Sequence, residues 1–152
     1  MTMKSFPQQN PALLAAYQNA IYEVRVPQFG LFQLHIGQQH PELDDVLRIL
    51  YPSCQRWTFL TAWNPRSRPL PDSENARRQA LLCARLRELG QTWLAAEGRA
   101  APEQAPWQEE SLFIMDLDQA NLNRLGKEFE QNAVLVGEVG GKAGLLWIVD
   151  AV

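Results

Sequence analysis

Trp57-Thr58-Phe59-Leu60-Thr61-Ala62-Trp63-Asn64-Pro65-Arg66-Ser67 decides how this chain is read. From Trp57 to Trp63 nearly every residue is apolar or β-favouring, which marks a strand central to its sheet. At Asn64-Pro65 the strand must stop, because proline offers no N–H to a ladder. A cluster of polar side chains therefore sits at the exit of a core strand, where binding and catalytic groups commonly project.

Downstream, the loop Arg66 to Pro71 leads into the strongest helical pattern, Asp72 to Leu89. Asp72 or Ser73 is placed to cap it, Leu82, Leu86 and Leu89 define its buried face, and Gly90 stops it. A strand from Thr92 to Glu97 arrives at Gly98-Arg99, followed by an Ala/Pro loop to Pro106 and a strand from Ser111 to Met115. Asp116 or Asp118 then caps a helix that turns Leu122, Leu125 and Phe129 inward. Ala133 to Val139 and Leu145 to Val149 close the chain as a hairpin around Gly140-Gly141.

Upstream, Pro41 to Leu50 carries Leu43, Val46, Leu47 and Leu50 on one helical face. Ile21 to Val26 and Leu31 to Ile36 alternate about the turn Pro27-Gln28-Phe29-Gly30, another hairpin. Pro11 suits the first position of a helix behind Asn10, ending near Asn19. Hairpins at both ends with helical crossovers between them predict an α+β fold: one domain over residues 1–152, with 1–10 loosely ordered. About four helices should pack on a mixed sheet of six to seven strands.

Composition narrows the function classes. The 152 residues are 46% hydrophobic and 20% charged with five Trp, enough for a real core. A net charge of −3 does not call for nucleic acid or an anionic membrane surface. No apolar run follows Lys4 and none is long enough to span a bilayer, so a cytoplasmic protein is expected. Cys54 and Cys83 lack metal or redox spacing and read as reduced thiols. His35 and His40 lack helical metal-ligand spacing, and Gly137, Gly140, Gly141 and Gly144 form no phosphate-binding fingerprint. No metal, flavin or other cofactor is implied. The arginines at 77, 78, 85 and 87 read as a solvated helix face.

Four polar groups stand out. Asn75 lies two turns before Leu82 on the apolar face of its helix, so it needs hydrogen-bond partners; it either ties down the Asn64 loop or faces a ligand beside it. Glu97-Gly98-Arg99 is either a salt bridge around a turn or an arginine that binds an anion beside a glutamate base. In Trp107-Gln108-Glu109-Glu110-Ser111 the adjacent acids point to opposite faces of an extended chain, so at most one enters a shared pocket. In Phe129-Glu130-Gln131-Asn132-Ala133, Asn132 can serve as a left-handed helix cap, which leaves Gln131 without a structural task.

Together these residues resemble a known family. Thr61-Ala62-Trp63-Asn64-Pro65 with Ser67, then Asn75, Glu97-Gly98-Arg99, Trp107 with an acid and Ser111, and Phe129-x-Gln131-Asn132-Ala133, are similar to the bacterial family catalogued as domain of unknown function 3293. The likeness covers about Tyr17 to Val136. It implies glycine where this chain has Glu130, and it implies no reaction.

The leading expectation is a domain that binds a small polar or anionic ligand, nucleotide-like or phosphorylated. Its pocket at strand ends would use Asn64, Ser67, Asn75, Arg99, Glu110, Ser111, Gln131 and Asn132, since amides both donate and accept. Arg99, Arg66 and Arg68 would supply positive charge. An alternative is a hydrolase or transferase with Glu97 or Glu110 as general base and Arg99 as electrostatic stabiliser. Another is an interaction or regulatory domain that displays Trp107 and the proline-rich loop, and a homodimer stays open.

Overall fold

The computed structural model describes residues 10–148, so most of the segment expected to be loosely ordered lies outside the described residues, as does Val149. The elements run α1 (Pro11–Asn19), β1 (Ile21–Val26), β2 (Gly30–Leu34), α2 (Pro41–Leu50), β3 (Arg56–Leu60), a 3-10 turn (Pro65–Ser67) and α3 (Asp72–Glu88). Then come β4 (Thr92–Arg99), β5 (Gln108–Met115), α4 (Gln119–Glu128), β6 (Ala133–Glu138) and β7 (Gly144–Trp147). The fold is α+β, and its strands form one sheet in the order β2-β1-β4-β5-β3-β6-β7.

The strand ladders are antiparallel throughout, not mixed. The helical crossovers do return the chain in the same direction: α3 links β3 to β4, and α4 links β5 to β6. In each case a third strand inserts between the two. β5 lies between β3 and β4, and β3 lies between β5 and β6, so every neighbour runs the opposite way. The sheet curls into a half-barrel. Its curl brings the segment after β2 to the β6–β7 turn, where Ile36 bridges Ala143 and Gly37 N donates to Ala143 O at 2.8 Å.

Both faces are covered, which explains the unbroken apolar run at the end of β5. Phe113 and Met115 join Val24, Leu34, Trp57 and Leu135 beneath α2 residues Leu43 and Leu47. Leu112 and Ile114 join Leu60 and Val134 beneath Leu82 and Leu86 of α3 and Leu122 and Leu125 of α4. Trp57 stacks on Phe113 with centroids 5.1 Å apart, and its ring also lies against Gly137, its cross-strand partner.

Helix ends correct some expectations. α3 begins behind Pro71 with no side-chain cap from Asp72 or Ser73, and Leu89 is exposed because the helix stops at Glu88. Asp118 caps α4 through Asn121 N at 2.7 Å. Asp116 instead accepts from the N–H groups of Gln55 and Arg56 and so fixes the entry to β3. His40 Nε2 accepts from His35 N at 2.9 Å, a structural contact within the α2 approach. Among the described residues no helix is long and apolar enough to cross a membrane, and no group of three or more His, Cys, Asp or Glu is placed to hold a metal.

Candidate functional site

The exit of β3 is a strained loop held by buried polar groups. Asn64, Arg66 and Ser67 have φ of 48°, 54° and 60°. Non-glycine residues there cost about 1–2 kcal/mol each, so such a run persists only where its surroundings enforce it. Asn75, only 1% exposed, supplies much of the enforcement. Its Oδ1 accepts from Asn64 N at 2.9 Å, and its Nδ2 donates to Asn64 Oδ1 at 2.8 Å and Leu70 O at 3.2 Å. One turn on, Gln79 Oε1 accepts from Ala62 N, and Arg78 donates to both Ala62 O and Phe129 O.

Those bonds from Arg78 join the loop to the end of α4. There Glu130 N donates to Lys127 O and Gln131 N to Gly126 O, the paired bonds of a Schellman motif. The left-handed residue of that motif is Glu130 (φ 53°), not Asn132. The turn is thus closed without the glycine that the family pattern implies. Gln131 Nε2 then donates to Trp63 O and Phe129 O, and Asn132 Nδ2 donates to Ser67 Oγ at 3.0 Å.

Beside these loops is a small cavity of about 50 Å³, at the end of the sheet where β3 and β4 finish and β1, β5 and β6 begin. Asn64, Ser67, Ser111 and Gln131 all reach its wall, so four of the expected residues converge. Asn75 and Asn132 stand behind it, holding Asn64 and Ser67. Tyr17, Tyr22, Phe59 and Trp107 provide aromatic walls. Tyr22 OH donates to Tyr17 O at 2.7 Å, Tyr17 hydrogen-bonds Ser67 through its side chain, and the Trp107 ring packs over Gly98.

The charged group in this wall is Glu109. It sits opposite Gly98 in the β4–β5 ladder, half-buried among the aromatic rings. Burial pushes its carboxyl up to about 7, partly offset by a hydrogen bond from the Asn64 side chain. Asn64 is oriented for this: its Oδ1 already accepts from Asn75 and from Leu70 N, leaving Nδ2 for the carboxyl. Burial also raises the Tyr17 and Tyr22 hydroxyls, so both stay neutral.

The other acids and Arg99 lie elsewhere. β4 continues to Arg99 instead of ending at Glu97, so Glu97 and Arg99 share the face opposite Gly98. Arg99 donates to Glu97 and to Glu23 of β1, both at 3.0 Å, and Gln108 also bonds Glu97. This is the salt-bridge reading, extended across two strands. β5 begins at Gln108, which turns Glu109 inward and leaves Glu110 exposed. Trp107 is half-buried against Gly98, which removes it as the centre of an exposed docking face. No lysine or arginine is among the described residues that line the cavity, so the charge argument for an anion fails there. The space is also well below the roughly 300 Å³ of a drug-sized pocket, small for a nucleotide.

A family model described as a protein of unknown function (DUF3293) matches residues 60–134. Over that span the chain belongs to this family. The DUF3293 segment contains the Asn64 loop, Gly98, Trp107, Glu109, Ser111 and the Gln131 turn, so most of the cavity wall falls inside it; Tyr17, Tyr22, Phe59, Leu135 and Leu145 come from outside. No curated protein and no solved structure matches the chain.

Proposed function

We propose that this protein binds a small molecule of a few non-hydrogen atoms in the cavity at Glu109. The observation that supports this most is the placement of that carboxyl. It is held half-buried by Asn64, itself locked by Asn75, at a junction of five strand ends. Keeping a carboxyl in such surroundings lowers stability whenever it ionises, so a structural role alone explains it poorly. Three left-handed residues between Asn64 and Ser67 and the buried amides of Asn75 and Gln79 serve to fix its position. Of the amides expected to contact ligand, Asn75 and Asn132 thus act one step back, as builders of the site, while Asn64 and Gln131 stand in its wall.

A second reading, acid–base catalysis, draws on the same residue. A carboxyl near pH 7 suits proton transfer at neutral pH. Glu109 takes the role that Glu97 and Glu110 were expected to fill, and Arg99 has no part. A reducing, cytosolic compartment suits the unpaired thiols of Cys54 and Cys83.

Gly98→Ala tests the binding reading without altering charge. An added methyl would meet Trp107 at 3.5 Å, an ordinary contact, so the fold should hold while the cavity shrinks. Thermal-shift screening of small amines, alcohols, amides and acids should find compounds that stabilise the wild type and not Gly98→Ala. Equal stabilisation of both proteins by every hit would place binding elsewhere and end this reading.

A further inference from the structure

Building on the binding reading above, we infer that the ligand of the Glu109 cavity is a small organic ammonium, held by one carboxylate inside walls of Tyr17, Tyr22, Phe59 and Trp107. The argument is one of what the wall has left to offer. Gln131 Nε2 is committed to two main-chain carbonyls, Ser111 Oγ to Glu109 O, and Thr61 Oγ1 to Glu110 O. Both functional atoms of Asn64 are engaged, and Ser67 Oγ accepts from Asn132. A sugar or nucleobase would have to displace those bonds. What remains is the carboxylate of Glu109, the acceptor Oε1 of Gln131 and four aromatic side chains in the wall, acceptors and rings without a free donor, the combination that recognises an alkylated ammonium.

Size agrees. A space of about 50 Å³ holds on the order of four waters, comparable with a compact cation of about five non-hydrogen atoms. Glu109 also makes the site self-consistent in charge. A bound cation favours the ionised carboxylate, so cation and proton compete for the same oxygens. The titratable groups that face Glu109 are Tyr17 from α1 and Tyr22 from β1, both neutral through pH 8. The pH response of binding therefore belongs to Glu109.

Tetramethylammonium chloride is the probe, since it stays charged at every pH. Its neutral isostere neopentane is too insoluble, so tert-butanol serves as the uncharged comparison and sodium chloride as the ionic-strength control. The readout is the indole N–H resonance of Trp107, assigned with Trp107→Phe. Tetramethylammonium should shift that resonance saturably, and its affinity should rise roughly tenfold or more from pH 5 to pH 8 as Glu109 ionises. Glu109→Gln should abolish that rise while leaving the protein folded. If tert-butanol shifts the resonance as strongly as the ammonium, or Glu109→Gln binds the cation unchanged, the ammonium inference falls while small-molecule binding stands. If neither compound shifts Trp107 beyond sodium chloride, and no compound of the wider screen distinguishes wild type from Gly98→Ala, both readings fall.

Discussion

The side chain of Asn64 divides its two functional atoms between Asn75 and Glu109: Oδ1 accepts from Asn75 Nδ2 at 2.8 Å, and the amide nitrogen donates to the Glu109 carboxyl. A buried helix residue therefore sets the orientation of the side chain that hydrogen-bonds the acid. Because amide oxygen and nitrogen are not interchangeable here, the α3 contact fixes which end faces Glu109. The coupling links a packing decision on one face of the sheet to the electrostatics of a cavity on the other.

That coupling has a pH signature. The carboxyl of Glu109 is raised from its ordinary 4.5 to about 7 in the folded protein. Between those values the folded state keeps a proton that the unfolded chain releases. Stability should therefore fall as pH rises from about 4.5 to 7 and level off above it, by at most about 3 kcal/mol. Glu109→Gln keeps an acceptor for Asn64 and has nothing to ionise. Its unfolding free energy in urea should lose this slope and exceed that of the wild type at pH 8, while matching it near pH 5. Parallel profiles for the two proteins would show that Glu109 titrates normally.

Asn75→Leu tests the other end of the same contact. Leucine suits the helix and the apolar face that position 75 shares with Leu82 and Leu86, so a hydrophobic argument predicts stabilisation. The hydrogen bonds predict the reverse. Asn64 N and Leu70 O would each lose a partner, and Asn64 Oδ1 would lose one of two, costing roughly 1–3 kcal/mol. Freed from Asn75, the Asn64 amide should also hold the Glu109 carboxyl less well and let its pKa climb further. Calorimetry and a carboxyl titration by NMR read the two effects separately, and an unchanged or raised melting temperature would contradict the first.

Much of the architecture was legible in the sequence because its periods are long and cleanly stopped. Pro41–Leu50 and Pro11–Asn19 have a proline at one end and an apolar stripe or a strand signal to set their limits. The central placement of Trp57–Leu60 follows from its apolar residues, which feed both cores. What escaped was parity. With β4 taken to end at Glu97 and β5 to begin at Ser111, the alternation of side chains was not carried through Arg99 or back to Glu109. One more residue pair in each strand puts Arg99 on the wrong face for the cavity and Glu109 on the right one. Strand direction escaped for a different reason. Whether a strand inserts between two others joined by a helix depends on contacts far apart in sequence, and no local pattern encodes it.

Gly137 is a packing position whose backbone has no need of a glycine conformation. A Cβ there would lie 2.6 Å from Cε2 of Trp57 and still closer to a neighbouring ring atom. Trp57 is buried and stacked on Phe113, so the ring has little room to yield. Gly137→Ala should therefore destabilise by about 1–3 kcal/mol, against the usual gain of a Gly→Ala change in a strand. The pair Gly137→Ala with Trp57→Phe should recover part of the loss, and additive effects in that double-mutant cycle would place the strain somewhere else.

The ends of α3 and α4 form a natural matched comparison. Both close with the paired bonds of a Schellman motif: Gly90 N to Arg87 O and Gln91 N to Leu86 O in one, Glu130 N to Lys127 O and Gln131 N to Gly126 O in the other. The left-handed residue is glycine in the first (φ 70°) and glutamate in the second (φ 53°). A side chain in that conformation costs about 1 kcal/mol, while glycine costs somewhat less than that in unfolded-state entropy. Glu130→Gly should thus raise stability by up to about 1 kcal/mol, or about 2–4 °C in a chain of this size. Gly90→Ala should lower it by a similar amount. Glu130 is exposed, so the gain cannot come from relieved burial. The site adds a second readout, because Glu130 O accepts from Arg66 N in the strained loop beside Asn64. If the turn is only relaxed, the Glu109 titration stays where it was; a shift in that titration would mean that the glutamate's strain is transmitted into the cavity, and a lowered melting temperature would mean that the turn gains nothing from glycine.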